Sequence, residues 1–327
     1  MKTLINTQKD PKFNLALEEY VLKHLNLDDD ILLLWQNRPS VIVGRNQNVF
    51  EEINMPYLKS ERIDMVRRIS GGGTVYHDLG NVNFSFITGK LTERLSKYDV
   101  CLKPMIDALH QMGLNVYLSG KSDLKIDAFK VSGNAQSFHK NRMLHHGTLL
   151  FDSDLDTLNR VLAPNLFKMT SKSVKSNRSQ VTNLKPFLNQ DMTTETFIDH
   201  LRSVLLKSEH LHEHLIELSS EDLNAIQTLV QEKYNRWEWN YGESPDFRTT
   251  KRIHLNQKIH DLDLDIQAGI ITSCSHSKAS EDVLDSLCRM LTGTRFMEEN
   301  ITRQLDVSFR STLSKQTIQS LAKELTE

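Results

Sequence analysis

Three consecutive glycines, Gly71-Gly72-Gly73, separate an arginine pair from a His-Asp in RRISGGGTVYHD, residues 67–78. Adjacent glycines give up backbone order and bring no side chain to a core, so a chain uses them where its backbone must come close to something. Successive amide N–H groups in such a turn form a concave seat for an anion. The spacing is neither GxxxxGK(S/T) nor GxGxxG opening a helix, which argues against a P-loop and against a dinucleotide fingerprint. A tight turn within a sheet would also use these glycines. Lys130, in DAFKVSGNA (127–135), is the second candidate. Strand alternation puts it on the face opposite Phe129 and Val131, and the small Gly133 and Ala135 let a ligand approach that strand. A lysine facing an anion seat could hold a phosphate and a carboxylate oxygen together and stabilise charge developing on either; an isolated one would simply be solvated. Asp123, in SGKSDL, could ligate Mg²⁺, accept from an adenine amino group, or belong to a plain turn. His145 and His146 are adjacent, so on a strand they point to opposite faces and cannot easily share a metal. With no HExxH and no cysteine nearby, no metal site is expected.

Elements must position these groups. Asp10-Pro11 reads as a helix start, with Phe13, Leu17, Tyr20, Val21 and Leu25 at helical spacing. ILLLW (31–35) and Val41–Val43 read as two strands joined by a turn. The glycines fall between strands at Met65–Ile69 and Val82–Ile87, so one arginine of the pair can face the loop's ligand and the other is expected to be solvated or salt-bridged. A helix at 99–112 contains Pro104, which should delay or bend it. Residues 128–138 and 143–151 read as a hairpin, and Leu155, Leu158 and Leu162 mark a helix after it. The polar, basic stretch 168–183 reads as a solvated loop or as a mobile functional one. Helices follow at 194–207 and 221–233, the second behind a Ser219–Asp222 capping box. After WEWNYG (237–242) the pattern becomes short strands at Ile253/Leu255, Leu262/Leu264/Ile266 and Ile270-Ile271, then a helix at 281–291 stopped by Thr292-Gly293.

The 327 residues are enough for two domains, and a boundary near 245 is expected. With 39% hydrophobic residues, 25% charged residues, a net charge of −2 and a pI near 6.7, nothing indicates broad nucleic-acid or membrane binding. Cys101, Cys274 and Cys288 are odd in number and far apart, with no CxxC. They read as free thiols in a reducing compartment. The N-terminus lacks the apolar centre of a signal peptide, and ILLLW is too short to span a bilayer. A cytoplasmic protein is expected.

Together these segments resemble the lipoate–protein ligases, in the superfamily shared with biotin ligases and octanoyltransferases. RRISGGGTVYHDLGNVNFSF (67–86) is similar to the signature RRxSGGGxVxHDxGNxxFSF, and WQNRPSVIVGRNQNVFEEIN (35–54) to a segment with a Gly-(Arg/Lys)-x-Gln-Asn core. Asp127, Lys130, Gly133 and Ala135 fit D-x-K-(I/V)-(S/G)-G-x-A, HHGTLLF (145–151) is the strand that follows, and RSQVTNL (178–184) resembles the RSxVTNL loop. WEWNYGESPDF (237–247) is like the segment leading to a C-terminal accessory domain. Ser122 stands where related ligases often carry Asn, and Gln180 where many carry Arg.

The resemblance implies an α+β fold: a biotin/lipoyl ligase-like catalytic domain, a mixed sheet flanked by helices, over 1–245, and a small α+β accessory domain over 246–327. It implies an enzyme that activates lipoate with ATP and Mg²⁺ to lipoyl-AMP. The lipoyl group then passes to a lysine of a lipoyl domain of a 2-oxoacid dehydrogenase E2 subunit or of a glycine-cleavage H protein. Lipoate is the implied acid, with octanoate a second candidate. Carried over by position, Lys130 would be the catalytic lysine touching both lipoyl carbonyl and adenylate phosphate. Arg68, Ser70, Gly73, Thr74, Val75, Tyr76 and Asp123 would hold the nucleotide. Trp35, Gly71, Gly72, His77 and Gly147 would line the acyl chain, and the loop 168–183 would close over the adenylate. The alternatives are a cysteine-dependent lipoyl- or octanoyltransferase of the same fold and a non-catalytic lipoate-binding protein. No cysteine lies between 102 and 273 to serve the transferase.

Overall fold

The computed structural model describes residues 1–25, 29–89, 97–163, 169–176, 179–207, 214–277 and 282–326. Lys168, Asn177 and Arg178 of the basic stretch, and Glu281 at the start of the expected helix 281–291, lie outside the described residues. The chain is α+β and divides into two compact units. The larger comprises 1–45, 55–162 and 176–236, and the smaller 46–54, 163–175 and 237–327.

The larger unit is built on an eight-stranded mixed sheet. From one edge the strands are Leu215–Ile216, Lys2–Ile5, Ile31–Trp35, Asn81–Thr88, Arg142–Leu150, Phe129–His139, Asp123–Ile126 and Val116–Ser119. The first three run parallel to one another and the later pairs are antiparallel. One face is covered by the helices Tyr98–Gln111 and Thr194–Leu206, which bury Leu102, Met105, Leu109, Phe197 and Leu201 against Leu32, Phe84 and Leu149. The first helix, Pro11–Lys23, starts where Asp10 caps the amides of Lys12 and Phe13 and Pro11 occupies the first turn. A second sheet places Ser40–Val43 between Asp64–Arg67, parallel, and Val75–His77, antiparallel. So Ile31–Trp35 and Ser40–Val43, adjacent in sequence, belong to different sheets and do not pair.

The smaller unit is a four-stranded antiparallel sheet, Met169–Ser171, Phe247–Leu255, Lys258–Gln267 and Ile270–His276, with helices Asp282–Leu291, Glu298–Phe309 and Lys315–Thr326. Strand Phe247–Leu255 alternates buried and exposed residues throughout, as one covered face requires.

Several expectations are corrected. The strand before the glycines ends at Arg67, and both arginines are buried. Arg67 is buried rather than solvated, and it donates to the carbonyls of Gly44 and Arg45 at 2.9 and 3.1 Å. The helix around Pro104 does not start late but runs from 98 to 111, its buried apolar face holding it through the missing amide. Within the basic stretch, Met169–Ser171 is a strand paired with Phe247–Thr249, so main-chain pairing imposed structure where side chains gave no pattern. Cys274 and Cys288 are not free: strand and helix bring their Cα atoms to 4.9 Å in a disulfide, leaving Cys101 as the free thiol. No described helix is long and apolar enough to cross a membrane.

Candidate active site

The glycine loop is shaped from within by Arg68. Its Nε donates to Ser70 Oγ at 3.0 Å, one Nη to the Ile42 carbonyl at 2.9 Å, and the other Nη to the carbonyls of Gly71 and Gly73, both at 2.7 Å. Carbonyl and N–H of a trans peptide point in opposite directions, so turning those two carbonyls inward turns the amides of Gly72 and Thr74 outward. The Thr74 amide donates to Ser176 Oγ at 2.9 Å. Gly72 has φ +87°, and a Cβ there would stand 3.1 Å from an Arg68 Nη and 3.8 Å from the Ala135 Cβ. A Cβ on Gly71 would meet nothing within 4 Å, whereas one on Gly73 would press on Ser176 Oγ at 3.0 Å. Burial pushes the Arg68 guanidinium down to about 10, opposed by the negative charge of Glu18, so it stays cationic at neutral pH.

From Ser70 a buried chain of hydrogen bonds crosses the sheet. Ser70 Oγ lies 2.6 Å from His146 Nε2, and His146 Nδ1 lies 3.0 and 3.1 Å from the Glu18 carboxylate oxygens. Ser85 Oγ donates to Glu18 at 2.6 Å and accepts from Trp35 Nε1 at 2.9 Å. The His77 ring meets Trp35 edge-on at 6.1 Å. Asn37 accepts from Asn14 on its oxygen at 2.8 Å and presents its Nδ2 to His77 Nδ1 at 3.1 Å. That leaves the proton on His77 Nε2, which has no hydrogen-bond partner among the described residues. Burial, with the charge of Arg68, holds the His77 ring neutral, its pKa lowered to about 3.

Lys130 stands over Gly133, where a Cβ would come within 3.2 Å of its Cε and Nζ. Ala135 is two residues further on the same strand face, and Gly72 packs on Ala135. Lys130, Gly133, Ala135, Gly72 and Arg68 therefore form one row. The Lys130 ammonium pairs with Asp123 at 3.0 Å, each side chain 22% exposed. Its backbone N–H donates to the Gln180 carbonyl at 2.9 Å and its carbonyl accepts from Thr182 N–H at 3.1 Å, so the end of the basic stretch runs along the lysine strand.

The fold thus gathers Trp35, Arg68, Ser70, Gly71, Gly72, Gly73, Thr74 and His77 near the row that ends in Lys130 and Asp123. Gly147 is not brought into that set through any side-chain position. It follows His146 on a strand and faces the other side, where a Cβ would collide with Asn134 and stand 2.7 Å from Phe84 Cζ. Val75 and Tyr76 are held by pairing with Ile42 and Val41, and alternation turns the buried Tyr76 ring away from His77. Ser122, beside Asp123, gives its carbonyl to Asn134 Nδ2 at 2.8 Å. In the HDLGN segment, Asp78 accepts from the amides of Gly80, Asn81 and Asp154, and a Cβ on Gly80 would overlap the Asp152 carbonyl, so this segment is a brace. Sequence reasoning missed Glu18, Ser85, Asn37 and Ser176. Asn14 and Glu18, four apart on an otherwise apolar helix face, carried a readable signal for buried polar partners.

The sequence profile of the lipoyl protein ligase A/B catalytic domain matches residues 10–206. Lipoate-protein ligase LplJ of Bacillus subtilis is 43% identical over 266 residues, 81% of this chain and 80% of that protein. A crystal structure of lipoate-protein ligase A bound with ATP superposes with a TM-score of 0.60 at 26% identity, covering 74% of this chain and 98% of that one. A bipartite lipoate protein ligase of Thermoplasma acidophilum, described with its E2 lipoyl domain, does so at 0.60 and 26%, covering 74% and 96%. With a glycine loop held from within by Arg68, a lysine strand and relatives matched over most of its length, the chain belongs to the lipoate–protein ligase family.

Proposed function

We propose that this protein is an ATP-dependent lipoate–protein ligase acting in two steps. A carboxylate oxygen of lipoate attacks the α-phosphorus of ATP; the new P–O bond forms as the α–β bridge breaks and pyrophosphate leaves. The ε-amine of an acceptor lysine then attacks the carbonyl of lipoyl-AMP, an amide forms, AMP leaves, and the amine gives up a proton. The acceptors in this reading are lipoyl domains of 2-oxoacid dehydrogenase E2 subunits and the glycine-cleavage H protein. The relative with its E2 lipoyl domain supports the first; octanoate is the second acid to test.

The single observation that carries the reading is the row joining Lys130 to the glycine loop through Gly133, Ala135 and Gly72. Charge development at phosphorus and then at the acyl carbonyl needs fixed cations and amides rather than a nucleophilic side chain. In the proposal Lys130 bridges the two reacting groups, and Asp123 is its counterion until substrate arrives and then approaches the adenine. Ser70, Gly73, Thr74, Val75 and Tyr76 present the nucleotide side, the last two through backbone. Arg68 works by holding the loop. Trp35, Gly71, Gly72 and His77 line the acyl chain, and Gly147 contributes strand backbone only. Mg²⁺ binds oxygen ligands and commonly keeps phosphates and waters among them. Among the described residues no group of three or more His, Cys, Asp or Glu is placed to hold a metal ion, and in this reading Mg²⁺ arrives on the ATP phosphates. We assign catalysis to 1–245, an accessory role to 246–327, and the cytoplasm as the compartment.

The thiol-dependent alternative lacks support: burial pushes the Cys101 thiol up to about 11, only partly opposed by its bond from Gln136. The experiment is lipoate-dependent exchange of labelled pyrophosphate into ATP. Exchange with lipoate or octanoate supports activation. Absence of exchange with both defeats the ligase reading.

A further inference from the structure

We propose that Glu18 and His146 are positioning residues: their buried carboxylate–imidazole pair orients Ser70, and through it Arg68, and so fixes the glycine loop in its working shape. This rests on the ligase reading for its kinetic consequence but not for its geometry. Glu18, Ser70 and His146 are 1%, 1% and 8% exposed, so solvent cannot satisfy any of the three.

The direction of every bond in the chain follows from its ends. Arg68 has only donors, so Ser70 Oγ accepts from its Nε at 3.0 Å. The Ser70 hydroxyl proton then goes to His146 Nε2 at 2.6 Å. The other ring nitrogen faces both oxygens of Glu18 at 3.0 and 3.1 Å and must carry a proton to donate. The set is satisfied by an Nδ1-protonated, neutral His146 and an ionised Glu18. Glu18 also receives Ser85, which receives Trp35. One carboxylate is therefore the common end of two donor chains, one from the loop-shaping arginine and one from the tryptophan opposite. It is also a negative charge acting on the buried Arg68.

A serine beside a histidine beside a carboxylate has the composition of a nucleophilic triad. Here Ser70 is buried and its oxygen already accepts from a cationic guanidinium, which makes it a poorer nucleophile. Glu18→Gln keeps the volume but can donate to Nδ1, moving the ring proton to Nε2 and leaving the Ser70 hydroxyl without its acceptor. Loop misplacement of the order of 1 Å costs about 10²-fold in rate.

The test has a structural and a kinetic arm. Nitrogen-15 NMR of the full chain should show His146 neutral and protonated on Nδ1, and on Nε2 in Glu18→Gln; an Nε2-protonated ring in the wild type overturns the proposal whether or not the protein is a ligase. In pyrophosphate exchange measured well below the melting temperature, Glu18→Gln and Ser70→Ala should each lower kcat by about 10²-fold, with smaller changes in KM for ATP. The double variant should be no slower than the slower single one. Multiplicative losses would mean the two act independently and would overturn it. So would a lipoyl ester on Ser70, seen by mass after incubation with lipoate and ATP without acceptor. If wild type shows no exchange, the ligase reading fails and the NMR arm alone decides.

Discussion

Arg68→Lys separates two roles that a cationic residue beside a phosphate-sized loop could have. Arginine and lysine carry the same charge, and lysine binds phosphate well as a point charge. If Arg68 acted by touching a phosphate, the lysine variant should keep most of its activity with a shifted KM for ATP. The structure assigns its donors otherwise, to Ser70, Ile42, Gly71 and Gly73. A single ammonium cannot reach carbonyls on the neighbouring strand and on both sides of the loop at once, so at least two of these bonds are lost. Hydrogen bonds to a charged group contribute about 1.5–3 kcal/mol each, which gives roughly 3–6 kcal/mol, softened by whatever water enters. Against a total stability of about 5–15 kcal/mol that is a large loss. Urea unfolding should show a much lower midpoint, and pyrophosphate exchange measured well below the melting temperature should fall by more than about 10²-fold. A lysine variant as stable as wild type, altered only in KM for ATP, would refute the loop-holding role.

Gly72→Ala should cost about 1–2 kcal/mol from its left-handed backbone alone and disturb Arg68, whereas Gly71→Ala, whose Cβ meets nothing within 4 Å, should fold as wild type; equal thermal midpoints for the two would contradict this. His77 and His145 are both held near pKa 3 by burial. The unfolded chain thus binds protons the folded chain refuses, and their contribution is complete above about pH 6.5 and lost as pH falls toward 3. Each adds up to about 1.4 kcal/mol per pH unit in that window, and His77→Gln should remove one such increment from urea titrations; an unchanged pH dependence would count against it. Reducing Cys274–Cys288, separated by 14 residues, should destabilise the smaller unit by about 3 kcal/mol, and Cys288→Ala should match the reduced wild type in calorimetry with no further effect of reductant.

The elements that carry the site were legible because their signals are local. Asp10-Pro11 marks a helix start by capping chemistry, and the alternation around Phe84 marks a strand whatever it pairs with. The glycine loop was legible as a close backbone approach, though not what it approaches first: its carbonyls grip Arg68 before any ligand does. Ser85 and Ser176 were not legible, because each acquires its partner across separations of 67 and 102 residues. Nor was the disulfide, since two cysteines meet only once a strand and a helix have packed. Gly147 lay in a matched segment, and its strand parity, countable from His146, already set it on the other face.

The most direct measurement is the mass of an apo lipoyl domain and of an apo H protein after incubation with this protein, lipoate and Mg·ATP, beside samples lacking ATP and samples with Lys130→Ala. The account expects one lipoyl group added to at least one acceptor, only with ATP, and lost with Lys130→Ala while that variant remains folded. Lipoylation without ATP, or undiminished in Lys130→Ala, would contradict it.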